Sequence, residues 1–205
     1  MNAPHFPSIS ETYPLILASA SPRRKRLMAQ ARIPHRVVVS GVEETDMGGD
    51  PATQACALAE KKARKAFSFI GASWVLGADT MVVVENRILG KPGDAADTRA
   101  MLIRLGGRTH QVITGFCILA PSGDGEHCEA VSTDVRFKPL TSQEIDAYTA
   151  TGEPEGKAGG YAIQGIGAFM VEAISGSYTN VVGLPLCAVI KALIKAGALD
   201  HYPIP

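Results

Sequence analysis

The chain of 205 residues has no surplus of charge of either sign, with Lys and Arg numbering 20 against 20 Asp and Glu. A protein that coats nucleic acid normally carries a basic surplus, so the balance argues against a nucleic-acid partner. It does not argue against a small anionic ligand, which needs only a local cluster of cations. Cysteine is scarce. Cys56, Cys117, Cys128 and Cys187 stand far apart in sequence with no C-x-x-C pair, which disfavours a zinc site or a dithiol redox motif and points to buried, reduced thiols. No apolar run approaches membrane-spanning length, and the first residues lack a charged-then-apolar leader pattern. The expectation is a cytoplasmic protein with no membrane partner. Internal repeats and low-complexity tracts are also missing. What remains is 46% apolar and 20% charged residues, an ordinary composition for a globular enzyme long enough to bury a real core. Residues 1–13 read as a flexible N-terminal extension, and 14–205 as a single domain of two lobes around a cleft.

Strand and helix signals alternate along the chain, which favours an α/β fold. A strand is expected over Pro14 to Ala18, then a helix that opens with Ser21 as N-cap and Pro22 in its first turn. Arg36 to Val39 reads as a short strand. Asp50-Pro51 starts a second helix that Gly71 stops. Apolar runs Val75 to Thr80 and Met81 to Val84 read as two strands meeting near Asp79. Asp94 caps a third helix ended by Gly106-Gly107. His110 to Leu119 and Ala130 to Lys138 are expected as two long strands, with a loop from Ala120 to Glu129 between them. Thr141 with Glu144 forms a capping box for a helix through Tyr148. Phe169 to Ile174 is a further strand, and Leu186 to Lys195 the last helix.

The most informative stretch is Leu17-Ala-Ser-Ala-Ser-Pro-Arg-Arg24. It places a helix start at the C-terminal end of a strand, and gathers there serine hydroxyls, free backbone N–H groups and two arginines. That combination holds an anion well, most often a phosphate, although a capped helix with solvated arginines would look the same. Other segments of matching chemistry follow. Val75-Leu-Gly-Ala-Asp-Thr80 ends an apolar run in a carboxylate and a hydroxyl. Lys91 lies in a Gly-Lys-Pro loop, and Gly156 to Gly165 is dense in glycine, where backbone can approach a ligand closely.

Taken together these segments resemble the Maf family of nucleoside triphosphate pyrophosphatases. The resemblance runs in order over residues 14–197. It rests on Leu15 to Arg24, Val42-Glu-Glu44, Val75 to Thr80, Leu89-Gly-Lys-Pro92, Leu105-Gly-Gly-Arg-Thr-His110, Val112-Ile-Thr-Gly115, Gly152-Glu-Pro154, Gly156 to Gly165 and Tyr178-Thr-Asn-Val-Val-Gly-Leu-Pro185. Within the family the chain is similar to the branch acting on dTTP and UTP, whose markers are Arg24, Thr80 and Gln164. The sister branch, linked to 7-methyl-GTP, typically has tryptophan at the place of Arg23 and Ser-Glu-Gly at the place of Ile163-Gln-Gly165. Neither is present here. The resemblance implies a long mixed twisted sheet flanked by helices around a central nucleotide cleft, similar to inosine triphosphate pyrophosphatases.

It also implies roles. Cleavage between the α and β phosphates needs an activated water, an electrophilic phosphorus and a stabilised leaving pyrophosphate. The resemblance makes Asp79 the general base, and gives Glu44 a share with Asp79 in binding a divalent cation, Mg²⁺ or Mn²⁺. Taken from the residues alone, Glu43-Glu44 is a solvated acidic turn. Ser19, Ser21, Arg23 and Arg24 would face the phosphates, joined by Lys62, Lys91 and Lys157. Lys62 lies on a charged helix stretch that is normally solvated, and Arg23 could serve fold or phosphate. Gln164, with Thr80, would read the adjacent carbonyl and N–H of uracil or thymine. His110 enters a strand, which suits a structural or dimer role. His127 and His35 are expected at the surface, and Tyr161 and Tyr178 either line the cleft or pack in the core. The expected partner is thus a nucleoside triphosphate, with a homodimer as a possible assembly. The competing reading is a nucleotide-binding regulator of septum formation with little turnover. The presence of Asp79, Glu44 and Lys91 favours activity.

Overall fold

A computed structural model describes residues 6–42 and 48–204. The order of elements is β1 (Leu15–Ala18), α1 (Pro22–Gln30), β2 (His35–Val37), α2 (Pro51–Ile70), β3 (Val75–Val84), β4 (Arg87–Leu89) and α3 (Ala95–Leu105). β5 (Thr109–Leu119), β6 (Gly125–Phe137), α4 (Ser142–Thr149), β7 (Val171–Ser175), α5 (Tyr178–Val182) and α6 (Leu186–Lys195) complete it. The strands form a seven-stranded sheet in the order β2-β1-β3-β5-β6-β7, with β4 paired to β3. β1 pairs in parallel with both β2 and β3, while β3–β4 and β6–β7 are antiparallel. The alternating pattern leads one to expect an α/β fold, and the mixed sheet with flanking helices is the one the resemblance implies.

Helix starts follow local chemistry. Ser21, Asp50, Asp94 and Thr141 each accept a hydrogen bond from a backbone N–H of the first turn, and Thr141 with Glu144 makes the full capping box. α2 ends at Gly71, whose φ of +72° an L side chain would resist.

The chain divides into two compact units. The first takes the residues through Asp79, Thr114–Val131 and Gly183 onward; the second takes Thr80–Ile113 and Ser132–Val182. β3, β5 and β6 each pass from one unit into the other. In the first unit, the small-residue face of α2 (Ala59, Ala63 and Ala66) packs with Ile16, Ala18, Val75, Cys117 and Leu119. Glycine permits that approach. A Cβ on Gly77 would lie 2.1 Å from the Ala59 carbonyl oxygen, and one on Gly115 would lie 2.3 Å from the Ala55 carbonyl carbon. In the second unit the core gathers Val82, Leu102, Leu105, Phe137, Ile145 and Tyr161, among others.

Several boundaries differ from expectation. Val75–Val84 is one strand of 10 residues rather than two strands meeting at Asp79. The pairing β4 folds back through Glu85 and Asn86, both at positive φ, and thus gives a tight turn without glycine. β6 begins at Gly125, so the expected loop to Glu129 is shorter and its second half is strand. Ile166–Met170 is a 3₁₀ turn, leaving β7 to start at Val171. The described part of the N-terminal extension, expected to be loose, is docked on the first unit. Trp74 Nε1 donates to the Pro7 carbonyl at 2.9 Å, Ile9 is buried, and its N–H meets the Ala198 carbonyl at 2.8 Å. Among the described residues no helix is long and apolar enough to cross a membrane.

Candidate active site

In the first unit the strand end of β1 and the start of α1 build the serine-arginine corner. Ser19 Oγ accepts from the Ser21 N–H at 3.2 Å, and Ser21 Oγ caps α1 by accepting from the Arg24 N–H. The two arginines then part. Arg24 is buried and turned inward. Its Nε donates to the Gly183 carbonyl at 2.7 Å, and its Nη1 donates to the Ala78 carbonyl at 2.8 Å and to Ser19 Oγ at 3.2 Å. One guanidinium thus fastens the helix start, the residue before Asp79 and the segment before α6. Arg23 is half-buried, has no ion pair or hydrogen bond through its side chain with a described residue, and has its pKa lowered by burial. A desolvated, still charged guanidinium beside a helix N-terminus is a ready anion ligand.

Asp79 sits in the middle of β3, 5% exposed, with Oδ1 at 2.6 Å from Lys62 Nζ. Lys62 reaches it from α2. Its neighbours Lys61 and Lys65 are exposed, while Lys62 shares the buried face with Ala59, Ala63 and Ala66. A buried ion pair is costly to desolvate and is weak as a source of stability, so stability alone does not account for the pairing. Asp79 Oδ2 accepts no hydrogen bond from a described residue. A carboxylate oxygen of this kind is a hard donor of the type that binds a water or a divalent cation. Mg²⁺ needs only one or two protein carboxylates when substrate phosphates complete its shell, so this donor chemistry fits such an ion. Among the described residues no group of three His, Cys, Asp or Glu could hold a metal by itself. Glu44 and its neighbour Glu43 lie outside the described residues.

In the second unit Thr80 follows Asp79 on β3 and is half-buried. Lys91 is exposed in the loop between β4 and α3. That loop is joined to the turn Ala158–Gly160, because the Gly159 N–H donates to the Gly90 carbonyl at 3.0 Å. Lys157 precedes this turn and directs Nζ to the carbonyls of Glu153 and Glu155. Gln164 is exposed at the tip of the turn closed by Gly165 N–H on the Ala162 carbonyl. The structure thus gathers Ser19, Ser21, Arg24, Lys62 and Asp79 within the first unit. Lys91, Lys157 and Gln164 share neighbouring loops of the second.

Other residues are settled by their surroundings. His110 is buried, hydrogen-bonded through Nε2 to the Tyr161 hydroxyl at 2.8 Å and packed edge-on against Phe137, which is a structural role. Tyr161 is core, and Tyr178 is exposed. His35 and His127 are half-buried rather than on the surface, His127 held by Glu129 at 2.8 Å. The cysteines, distant in sequence, partly converge. Cys128 directs its thiol at the Cys56 carbonyl, and burial pushes the Cys56 thiol up to about 12. Of the four, only Cys117 is fully buried, and Cys128 and Cys187 are exposed. Residues passed over by sequence reasoning include Tyr148 and Glu153, whose side chains tie the Gln164 loop. The Gly-Glu-Pro segment pointed to Glu153 without suggesting a role.

The family profile described as Maf-like protein matches residues 14–196. A dTTP/UTP pyrophosphatase of Geobacter sulfurreducens is 50% identical over 90% of this chain and 97% of its own length. One from Geobacter metallireducens is 51% identical over the same shares, and one from Symbiobacterium thermophilum is 47% identical over 93% and 95%. Among solved structures, a nucleoside-triphosphatase, dITP/XTP pyrophosphatase, of Mycobacterium abscessus aligns at 16% identity and a TM-score of 0.42. It covers 60% of this chain and 74% of its own. The Staphylococcus aureus Ham1 protein aligns at 14% and 0.43, over 60% and 71%.

Proposed function

We propose that this chain, which belongs to the Maf-like protein family, hydrolyses dTTP and UTP to the nucleoside monophosphate and pyrophosphate. The observation that carries the reading is the buried Asp79–Lys62 pair beside the serine-arginine start of α1. Support for the substrate comes from relatives near 50% identity named for dTTP and UTP.

In this reading Asp79 accepts a proton from water through Oδ2, and the water oxygen bonds to the α-phosphorus. The bond from that phosphorus to the bridging oxygen breaks, and pyrophosphate leaves with the electron pair. Lys62 holds the carboxylate in place and supplies positive charge next to it. Arg23 and the first-turn N–H groups of α1 receive phosphate oxygens, with Ser19 and Ser21 shaping the corner. Arg24 serves by fixing Ser19 and Ala78, and so sets where Asp79 lies. Lys91 and Lys157 add charge for the leaving group. Asp79 and Glu44 would hold a divalent cation, which when bound supplies Lewis-acid polarisation of phosphate oxygens. Gln164 pairs with the carbonyl and N–H of a uracil or thymine edge, and Thr80 assists.

The test is turnover of a nucleotide panel by purified protein with Mg²⁺ or Mn²⁺, with products identified by chromatography. UTP and dTTP should exceed CTP, ATP and GTP, EDTA should stop the reaction, and the products should be monophosphate and pyrophosphate. Asp79→Asn should lower turnover by about 10²–10⁴-fold while the protein stays folded. Release of orthophosphate and a diphosphate, or near wild-type turnover by Asp79→Asn, would overturn the assignment.

A further inference from the structure

The loop that presents Gln164 is anchored by a clamp whose members lie outside it. Glu153 Oε1 accepts from the Ile166 N–H at 2.9 Å, and its Oε2 accepts from the Gly167 N–H at 2.8 Å. Oε2 also accepts from the Tyr148 hydroxyl at 2.8 Å. That hydroxyl in turn accepts from the Ala162 N–H at 3.1 Å. Ala162 stands two residues before Gln164 and Ile166 two residues after it. Both ends of the turn are thus tied to one carboxylate–phenol pair, while Gln164 itself is exposed and gains no fixation from burial.

The glycines of the loop are matched to this clamp. A Cβ on Gly165 would lie 1.8 Å from Glu153 Oε1, and one on Gly167 would lie 2.7 Å from the Tyr148 hydroxyl. Neither glycine has a positive φ, so space for the clamp explains them, and backbone freedom does not. Tyr148 is 2% exposed on the last turn of α4 and gives the pair a rigid base. Desolvation would push the Glu153 carboxyl up, yet the Gly167 amide, the Tyr148 hydroxyl and the Ile166 amide together hold it below its usual value. The acceptor is therefore ionised at neutral pH, the state in which both oxygens can accept.

We propose that Glu153, acting with Tyr148, is a positioning residue for base selection: it sets the height and angle of Gln164 and so controls the preference for uracil and thymine over cytosine. This rests on Gln164 as the base-reading residue. A recognition group must be held within about 0.5 Å of its productive place to discriminate well. Discrimination by hydrogen bonding is large only while the correct base alone satisfies the site. A loop free to shift lets Gln164 follow the wrong base, so the ranking of substrates is the quantity most exposed to loss of the clamp.

The experiment compares kcat and KM for UTP and CTP in wild type, Glu153→Gln, Gln164→Ala and the double variant, with circular dichroism and thermal melting as fold controls. Glutamine keeps the shape but replaces one accepting oxygen with an NH₂ that faces backbone N–H groups. The expected result is a fall of about tenfold or more in the UTP/CTP ratio of kcat/KM, carried mainly by KM for UTP, since misplacement of about 1 Å can cost 10²-fold. In the Gln164→Ala background the same substitution should leave the ratio unchanged, which a merely structural role would not produce. A folded Glu153→Gln protein with the wild-type ratio overturns the proposal, as does an equal further loss in the double variant. If Glu153→Gln does not fold, Tyr148→Phe decides, because it removes the Ala162 anchor and leaves both amide bonds to Glu153. A lowered ratio supports the clamp, and an unchanged ratio overturns it. Wild-type protein without a UTP preference would instead refute the functional reading, and is distinguishable because it needs no variant.

Discussion

Lowering the pH should unfold this protein through His110 in a way that can be isolated from every carboxylate. His110 is 1% exposed, Nε2 is engaged with the Tyr161 hydroxyl, and Nδ1 is buried with no hydrogen-bond partner among the described residues. Burial draws its pKa down from 6.5 to about 4. In the unfolded chain it titrates near 6.5, so between those values the unfolded state binds more protons than the native state. Stability then falls as pH falls, by about 1.4 kcal/mol per pH unit inside the window. The loss reaches about 3 kcal/mol at pH 4 and is absent above about pH 7. A loss of this size is a large part of the stability of an ordinary domain.

The assay is urea unfolding of wild type and His110→Gln from pH 7 to pH 4. Glutamine can still meet the Tyr161 hydroxyl but cannot take a proton. Carboxylates contribute equally to both proteins and cancel in the difference. His110→Gln should be the less stable protein at pH 7, because it loses the edge-on contacts with Phe137 and Tyr161. The gap should then close by about 3 kcal/mol on going to pH 4. Stability curves that stay parallel across this range would show that His110 is not held neutral by burial.

Three further substitutions test the packing and the division of labour between the arginines. Gly77→Ala should destabilise by about 1–3 kcal/mol or more in urea unfolding, because the added Cβ meets the backbone of α2 at Ala59 and Ala63, which cannot rotate away. Arg24→Lys should lower both the urea midpoint and turnover, since the loss of the guanidinium fork strands buried carbonyls at about 1–3 kcal/mol each. Arg23→Lys should leave stability within about 0.5 kcal/mol and raise KM for UTP instead. Equal thermal destabilisation by the two arginine variants would refute the distinction between them.

Much of the fold was legible because helix starts carry local chemistry. Asp50, Asp94 and the Thr141–Glu144 pair each mark their helix by a side chain that accepts a first-turn N–H. The unbroken β3 was not legible. Asp79 and Thr80 in an apolar run look like a strand end, and only the ion pair from Lys62 lets a carboxylate stay inside a buried strand. The Glu85–Asn86 turn was missed because it lacks the glycine that usually signals positive φ. The early start of β6 was hidden by its polar opening residues. Docking of the N-terminal segment depends on Trp74, a contact at long sequence range that no local pattern announces.

At the site, residue types were easier to read than their orientations. Helical spacing does separate Lys62 from Lys61 and Lys65, because Lys62 lies three residues after Ala59 on the small-residue face, and its burial follows from that register. Arg23 and Arg24 have no such discriminator in sequence, and only the carbonyls of Ala78 and Gly183 decide which one turns inward. The role of Glu153 was invisible for a related reason, since it acts on backbone N–H groups thirteen and fourteen residues away.

These placements separate two tasks physically. The proposed proton acceptor stands on a continuous buried strand, fixed by Lys62 directly and by Arg24 through the residue before it. The proposed base reader stands on an exposed loop held by one acidic clamp. A buried lysine–aspartate pair adds little stability, and apolar replacements of similar volume often do as well or better. The proposed proton acceptance by Asp79 would account for its presence. By contrast, Gln164 itself is exposed, so a side-chain change at that position need not disturb the core. Substitutions near Gln164 and its clamp should then alter which base is accepted far more readily than they alter the hydrolytic step, because the two sets of hydrogen bonds share no residue.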